Sequence, residues 1–322
     1  ILYVLLLFPF GLFGQFDGIV GSEGCKAIHC KDSRIISWAT ECEVIRGYQD
    51  IAKPENGYAS YGTEVNATGT VTDSNALDVV SLGDGGVAIL RFQTPIVDGE
   101  GYDFAVFENS FDDSFLELAF VEASSDGVHY FRFPATSNTP VEKQVNGFGK
   151  LEASHINNLA GKYRIGWGTP FDLEELTDDP NLDKNNIRYI KIIDVVGTID
   201  SAYATYDANG NIVNDPYPTN FASGGFDLSG VGGIHDQNNT SINKNKDEEL
   251  FVSVYPNPCN GFVYIQTDES VFSLYNSMGQ KLMEQSLRKD RFQINISEYP
   301  AGVYFVNLRN NQRMKTIKLI KQ

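Results

Sequence analysis

Between residues 18 and 233, short apolar segments alternate with residues that favour turns. In the segment 187–196, every second position from Ile187 to Val195 falls on one face of an extended chain, which is the two-residue period of a β-strand. Other segments, such as 102–108, are largely apolar on both faces, as expected of inner strands covered by a layer on each side. The pattern predicts an all-β fold, a jelly-roll-like β-sandwich.

Two kinds of local structure are predicted within this sandwich. Short helical pieces are expected at 154–159 and at 172–176, where Pro170 precedes and acidic residues crowd the first turn. The oxygen-rich run 207–215 imitates a calcium loop, but its glycine stands at the fourth position, where an EF-hand loop requires one at the sixth. A hairpin with Asn209–Gly210 at its tip explains this run better.

The polarity of the chain changes twice along its length. Residues 236–249 are polar, asparagine-rich and without apolar periodicity, which predicts a linker. Residues 250–322 return to strand-length segments and predict a small antiparallel, immunoglobulin-like β-sandwich. Residues 1–14 are uncharged and too short to cross a membrane, so they are expected to be a signal peptide. The acidic β-sandwich domain would then occupy residues 15–235.

The formal net charge of the chain is −17, and the acidic excess lies outside the C-terminal domain. Such a surface repels a phosphate backbone, so nucleic acid is not an expected partner. Acidic charge suits solubility outside the cell or the binding of a divalent cation. No further apolar stretch of about 18 residues follows the first one, so no transmembrane helix is predicted.

Cysteine pairing is left open by the sequence. Cys25 and Cys30 are close enough to pair in an oxidising compartment, and Cys42 could compete for either. Buried free thiols are the alternative. The spacing of the cysteines and histidines does not match a zinc site.

The C-terminal domain carries short motifs in a fixed order. Their residues are Tyr255, Pro256, Asn257 and Pro258, then Gly261, Gly279, Gly302 and Tyr304. With these motifs the domain resembles the type A sorting domain of the Bacteroidetes type IX secretion system. The resemblance implies recognition by the type IX secretion machinery, export across the outer membrane, and a location in the medium or attached to the outer-membrane surface. A generic immunoglobulin-like module is the alternative.

The large domain has its own resemblance. Segments 81–86, 104–109, 118–133, 168–173 and 215–233 are similar to a family of bacterial cell-surface proteins that have no well-established activity. Short strand-turn motifs also resemble the discoidin or galactose-binding type of jelly roll. The resemblance implies a sandwich with a surface location and does not identify a ligand.

The candidates for a metal site are the carboxylates within apolar strands, Asp103, Glu108, Glu117 and Glu122, and Asp227 in a glycine-rich stretch. A carboxylate is costly to bury unless it is paired or bound to a metal. Calcium takes six to eight oxygen ligands, so a calcium ion would offset that cost. Glu108, Asp227 and Asp103 are the predicted ligands; side chains that face solvent or cap turns are the alternative.

Aromatic residues in loops rich in glycine and proline are the candidates for ligand binding, because an exposed ring can stack on a sugar. They are Trp38, Trp167, Tyr217 and Phe221. The alternative is that these rings plug the ends of the sandwich.

The leading functional hypothesis is a secreted or cell-surface module that captures a glycan or another small nutrient ligand without catalysis. The catalytic alternative is a polysaccharide hydrolase, which needs a cleft with two facing carboxyl groups and a raised pKa on one of them. The third possibility is a structural or adhesive surface protein, which needs no concave pocket. No nucleophile motif of the G-x-S-x-G type is present.

Overall fold

The computed structural model describes residues 16–238, 252–267, 270–287, 290–309 and 314–322. The predicted signal peptide and most of the predicted linker therefore lie outside the described residues. The chain divides into two compact units, Ile1–Ile242 and Asn243–Gln322, and each is described by itself.

The large unit consists of antiparallel β-strands joined by long loops. Its strands are β1 Ile28–His29, β2 Ser37–Trp38, β3 Glu41–Ile45, β4 Val80–Ser81, β5 Val87–Ile96, β6 Phe104–Glu108, β7 Ala119–Ser124, β8 Phe131–Arg132, β9 Thr136–Ser137, β10 Ile156–Asn157, β11 Trp167–Phe171, β12 Ile187–Asp194 and β13 Asp227–Gly233. One sheet has the order β1-β11-β6-β13-β2, with β4 also paired to β13; the other has the order β3-β5-β12-β7-β8. Strands β9 and β10 form a separate two-stranded ribbon.

The two larger sheets pack face to face around one apolar core. Along β5, the alternate residues Ala88, Leu90 and Phe92 are buried, and the residues between them are more exposed. Leu228 and Val231 of β13 lie in the same core cluster from the opposite sheet. The predicted all-β sandwich is therefore confirmed.

Strand β6 shows why some segments are apolar on both faces. Phe104 packs in the core between the sheets, whereas Phe107 packs in a second cluster on the outer side of its sheet. That outer cluster includes Ile28 and Val71 and is flanked by Trp38. The sheet is thus covered on both sides, which is the condition under which strict alternation disappears.

The helical segments of the large unit are single 3₁₀ turns. They span Pro54–Asn56, Glu64–Ala67, Ala153–His155 and Leu173–Glu175. Leu173–Glu175 lies within the predicted piece 172–176, whereas Ala153–His155 overlaps the predicted piece 154–159 at only two residues. The Asp172 carboxylate caps the final turn by accepting a hydrogen bond from the amide of Glu174 at 2.9 Å. Residues 207–211 form the predicted turn, because the amide of Asp207 donates to the carbonyl of Asn211 and Gly210 has φ of 79°.

The small unit is a second β-sandwich with its own core. Its strands are β14 Val252–Tyr255, β15 Phe262–Thr267, β16 Ser270–Asn276, β17 Lys281–Leu287, β18 Asp290–Asn295, β19 Gly302–Arg309 and β20 Met314–Lys321. They form a three-stranded sheet, β14-β15-β18, and a four-stranded sheet, β17-β16-β19-β20, both built from this unit alone. Ile265, Phe272, Leu274, Val306 and Leu308 are fully buried between them.

Three phenylalanines fill one part of the large core and generate a stability prediction. The ring of Phe104 lies 5.3 Å from that of Phe171 and 5.6 Å from that of Phe133. Replacing Phe104 by Ala removes these contacts and leaves a cavity, so we expect a loss of about 3–5 kcal/mol in the free energy of unfolding.

Urea unfolding followed by tryptophan fluorescence measures this loss, because both tryptophans, Trp38 and Trp167, lie in the large unit. The matched control is Phe111→Ala, since Phe111 is 70 % exposed. Equal effects of the two substitutions would contradict the assigned core.

Candidate functional site

One end of the large sandwich collects buried carboxyl groups. Glu108 ends β6, Asp194 ends β12, and Asp227 begins β13. The antiparallel pairs Leu228↔Glu108 and Asp194↔Ala119 bring the end of one strand beside the start of the next, so these groups share one end. Loop residues add three further carboxyl groups there. The six residues, named the acidic cluster, are Asp84, Glu108, Glu117, Asp194, Asp215 and Asp227, each at most 8 % exposed.

Most of the acidic cluster is held by backbone amides. Asp194 accepts hydrogen bonds from the amides of Phe226 at 2.7 Å and Gly85 at 2.9 Å. Glu108 accepts one from the amide of Ser110 at 2.7 Å. These bonds tie the loops at this end to the strands, which is a structural role.

Asp215 is held in the same way but only through one oxygen. Its Oδ2 accepts a hydrogen bond from the amide of Leu118 at 3.1 Å. Its Oδ1 is buried and has no hydrogen-bond partner among the described residues. A buried oxygen of this kind is costly unless its carboxyl group is protonated or it meets a donor.

Asp227 and Glu117 differ from the others because both line a pocket. Asp227 accepts hydrogen bonds from the Ser81 hydroxyl and from Asn109 Nδ2, the latter at 3.2 Å. Glu117 is 7 % exposed, and its carboxyl group makes no hydrogen bond among the described residues. Arg46 lies near Asp227, but its guanidinium group donates to backbone carbonyls, so it forms no ion pair there.

Burial raises the pKa values of the whole acidic cluster. It is the largest cause of the shift for each residue, and neighbouring negative charges add to it for all except Asp227. The pKa values of Asp227 and Asp84 are raised to about 6. The pKa of Glu117 is raised well above its usual range, with Asp227 the strongest of its negative neighbours.

The pocket above Glu117 and Asp227 has a volume of about 200 Å³. Four phenylalanines line it and are named the aromatic wall: Phe111, Phe115, Phe148 and Phe221. The ring centroid of Phe148 lies 6.3 Å from that of Phe115 and 5.7 Å from that of Phe221. Phe111 is 70 % exposed and Phe148 is 73 % exposed, so the wall offers apolar rings to solvent.

A buried asparagine positions the loop that carries Phe148. Asn214 is fully buried, and its Nδ2 donates to the carbonyls of Pro140 at 2.6 Å and Lys143 at 2.9 Å. Its Oδ1 accepts from the amide of Val145 at 3.1 Å. The amide side chain thus pairs with the backbone of the loop at several points, which fixes the approach to Phe148.

Of the four aromatic residues predicted to bind ligand, Phe221 lines the pocket. Trp38 packs on Phe107, with ring centroids 5.4 Å apart, and Trp167 packs on His29 at 4.7 Å. The Tyr217 hydroxyl donates to a carboxylate oxygen of Asp50 at 2.8 Å. These three rings take part in packing or hydrogen bonding away from the pocket lining.

The three predicted metal ligands do not come together. Asp103 lies before β6 and Glu108 ends it, so the two occupy opposite ends of the strand. The Asp103 carboxylate accepts hydrogen bonds from the amides of Gly99 at 2.8 Å and Leu173 at 2.7 Å, and its Oδ1 lies 2.8 Å from His235 Nδ1. Both of its oxygens therefore already have partners. Calcium binding by Glu108 and Asp227 stays a prediction.

The pocket residue that sequence reasoning missed is mainly Phe148. Glu117, between Leu116 and Leu118, is among the carboxylates within apolar strands but not among the three predicted ligands. Phe148 lies in a loop without periodicity, so no pattern marked it. The four cysteines are free thiols, and no disulfide joins Cys25, Cys30 or Cys42 in the described structure.

In the small unit, motif residues make local contacts, and one of them, Asn257 after β14, bonds to the last strand, β20. Asn257 Nδ2 donates to the carbonyl of Lys318 at 2.7 Å, and Asn257 Oδ1 accepts from the amide of Ile320 at 2.9 Å. The Tyr304 hydroxyl donates to the carbonyl of Pro300 at 2.7 Å. Gly279 has φ of 80°, which suits glycine at the turn between β16 and β17.

Residues 253–322 match the family described as the secretion system C-terminal sorting domain. The chain therefore carries a type IX secretion sorting domain of the Bacteroidetes kind, as its motifs predict. The protein is exported by that system and is secreted or attached to the cell surface. In the described part of the chain, no helix is both long and apolar enough to span a membrane.

Comparison with solved structures finds only distant similarities. The chain is similar to a β-glucuronidase from Ruminococcus gnavus in complex with C6-substituted uronic isofagomine, at 10% identity over 89% of this chain and 45% of that chain, with a TM-score of 0.26. The BSP domain of a biofilm associated protein aligns at 10% identity over 73% of this chain and 48% of that one, with a TM-score of 0.21.

A Lactobacillus rhamnosus β-glucuronidase aligns at 9% identity over 89% of this chain and 44% of that one, with a TM-score of 0.25. The chain thus spans less than half the length of these solved structures. No curated protein matches the chain.

The acidic cluster predicts that stability falls as the pH rises from 5 to 8. The native pKa values are raised, so the native state binds more protons than the unfolded chain between the two pKa values, and the free energy of unfolding decreases with pH. For Asp227, a shift from its ordinary value of 3.8 to about 6 corresponds to about 3 kcal/mol, lost between roughly pH 4 and pH 6. Thermal melts of the large unit by tryptophan fluorescence measure the trend.

The variant Asp215→Asn removes one member of the cluster, so we expect its melting temperature to fall less steeply with pH. Glu174→Gln, at an exposed position, is the control and should follow the parent protein. A melting temperature that rises between pH 5 and pH 8 would rule out this account of the cluster.

Removing residues 246–322 is expected to leave the large unit folded but retained in the periplasm. Both sheets of the small unit are built from its own strands, so their loss deletes no strand of the large sandwich. Cell fractionation of a host with type IX secretion, with the full-length chain as control, measures the location. Recovery of the truncated chain outside the cell at the full-length level would contradict the assignment of the export signal.

Proposed function

We propose that the protein is a secreted or cell-surface binding protein whose large unit captures a small ligand, such as a glycan unit or another nutrient, without catalysis. The observation that supports this most is the pocket in which an aromatic wall stands above the buried carboxyl group of Glu117. An apolar lining with a few converging polar groups is the usual composition of a ligand site.

The exposed rings of the wall support binding rather than packing. Phe111 and Phe148 lie in loops and leave most of their surface in water. Exposed apolar surface carries an unfavourable hydration free energy that a ligand would relieve. The loops that hold these rings are fixed to a rigid sandwich, which reduces the entropy lost on binding.

The size of the pocket limits what it can take. Pockets for drug-sized ligands measure about 300–1,000 Å³, and this one measures about 200 Å³. The pocket therefore suits one small group or the terminal unit of a larger molecule.

A hydrolase is the second candidate, because Glu117 and Asp227 place two carboxyl groups with raised pKa values in one pocket. In a glycosidase, the two carboxyl groups flank the scissile bond, so the site must hold a sugar unit on each side of that bond. The small volume favours capture of one unit over cleavage between two. The third possibility, a purely structural protein, requires no pocket.

Binding is tested with a glycan array and a library of small nutrients, using the full mature protein. We expect Phe148→Ala to lower the affinity for any bound ligand by roughly 10-fold, because stacking on one ring contributes about 1–1.5 kcal/mol. The matched control is Tyr203→Ala, an aromatic residue that is 39 % exposed and outside the pocket lining.

Equal loss of binding in both variants would place the ligand elsewhere. Release of a cleaved product that requires Glu117 would instead support the hydrolase.

A further inference from the structure

We propose that the pocket recognises a small organic cation, a protonated amine carried on a short carbon stem. This proposal deepens the proposed function and rests on it, since it names the chemistry of the ligand in the same pocket. Three features of the described residues carry it: an unpaired buried carboxyl group, the carboxyl groups around it, and the aromatic wall.

Glu117 is the first feature. It is 7 % exposed, lines the pocket, and accepts no hydrogen bond among the described residues. A carboxylate buried to this degree is costly unless it meets a donor or a cation. A protonated amine in the pocket would supply three N–H donors and a positive charge.

The charge around Glu117 is the second feature. Asp227, Glu108, Asp215 and Asp194 all act on it as negative neighbours. Asp215 also keeps one buried oxygen without a partner. Arg46 is the cation that acts on Asp227, and its guanidinium N–H groups donate to the carbonyls of Tyr61 and Gly62 at 2.8 Å. A positive charge that enters from solution would therefore favour the ionised forms of these carboxyl groups.

The aromatic wall is the third feature. A cation within about 6 Å of a ring face is attracted by the negative face of the ring, with about 0.5–2 kcal/mol per contact. The wall itself consists of phenylalanines, which offer ring faces and no hydrogen-bonding group; the hydroxyl and amide groups of the pocket belong to Tyr61, Asn109, Thr219 and Ser223. A carbon stem beside the ammonium group would pack on the same rings.

A metal ion fits the arrangement less well than an amine. Three ligand atoms within 4.8 Å of one another occur in two groups of described residues, His29 with Cys30 and Asp73, and Asp98 with Asp103 and Asp172. The carboxyl groups that line the pocket, Glu117 and Asp227, belong to neither group, so no set of three such ligand atoms lies there among the described residues. An ammonium group on a stem can lie between carboxyl groups that are further apart.

Isothermal titration of the full mature protein with n-butylammonium at pH 7.5 tests the proposal. We expect saturable binding, with no binding of neutral n-butanol. Glu117→Gln keeps the shape of the side chain and removes its ability to carry a negative charge, so it should lower the affinity for the amine roughly 10- to 100-fold. Glu174→Gln, an exposed position outside the pocket, should bind like the parent protein.

Glucosamine and glucose, titrated in parallel, separate an amino sugar from other amines as the natural source. Binding of glucosamine but not glucose, lost in Glu117→Gln, would support the proposal for an amino sugar. Because Glu117→Gln could alter folding, its thermal melt is recorded as well, and Phe148→Ala, at an exposed position, serves as the second variant.

Some results would overturn the amine proposal. One such result is that glucose binds, that Phe148→Ala weakens its binding, and that no amine binds. The pocket then captures a neutral ligand, so the proposed function stands and this inference fails. If calcium ions bind, Glu117→Gln abolishes that binding and no amine binds, the pocket is a metal site. If none of these probes binds, the amine proposal is refuted.

Discussion

The burial of carboxyl groups at one end of a β-sandwich is the constraint on which the functional part of this structure depends. Removing a carboxylate from water is unfavourable unless hydrogen-bond donors or a cation compensate. Asp194 and Glu108 are compensated by amides of the surrounding loops, which the carboxyl groups thereby hold in place. Glu117 is left without such donors, and it faces the pocket. The same packing that orders the loops therefore also leaves one carboxyl group at the pocket without a donor.

The fixed positions of the loops then determine the shape of the pocket. Asn214 is fully buried and pairs with the backbone of the loop that leads to Phe148, so an exposed ring is placed by a buried amide. Phe221 comes from the loop before β13 and completes the wall. In the small unit, Asn257 plays a comparable part by bonding to the last strand through both its donor and its acceptor. In each unit, a side-chain amide thus pairs with backbone groups that are distant in sequence.

Periodicity predicted the sandwich because core strands such as β5 bury alternate residues. The sorting domain was predictable because its motif residues form turns and caps with local requirements. The pocket was predictable only in part: Phe221 and Asp227 were identified, whereas Phe148 was not, because its position depends on Asn214, which is distant in sequence. Trp38 fits the same sequence pattern as Phe221, but its ring packs on Phe107 beside the outer apolar cluster. Asp103 and Glu108 share the sequence pattern of a carboxylate beside apolar strand residues, but they lie at opposite ends of β6.

The ionisation of Glu117 is the most direct test of the account. Its side-chain carboxyl can be titrated by carbon NMR in the mature protein, with Glu117→Gln used to assign the signal. The account predicts a pKa well above that of an ordinary glutamate in the free protein, and a fall in that pKa when n-butylammonium is added, because a bound cation favours the ionised form. An ordinary pKa that the amine does not change would contradict it.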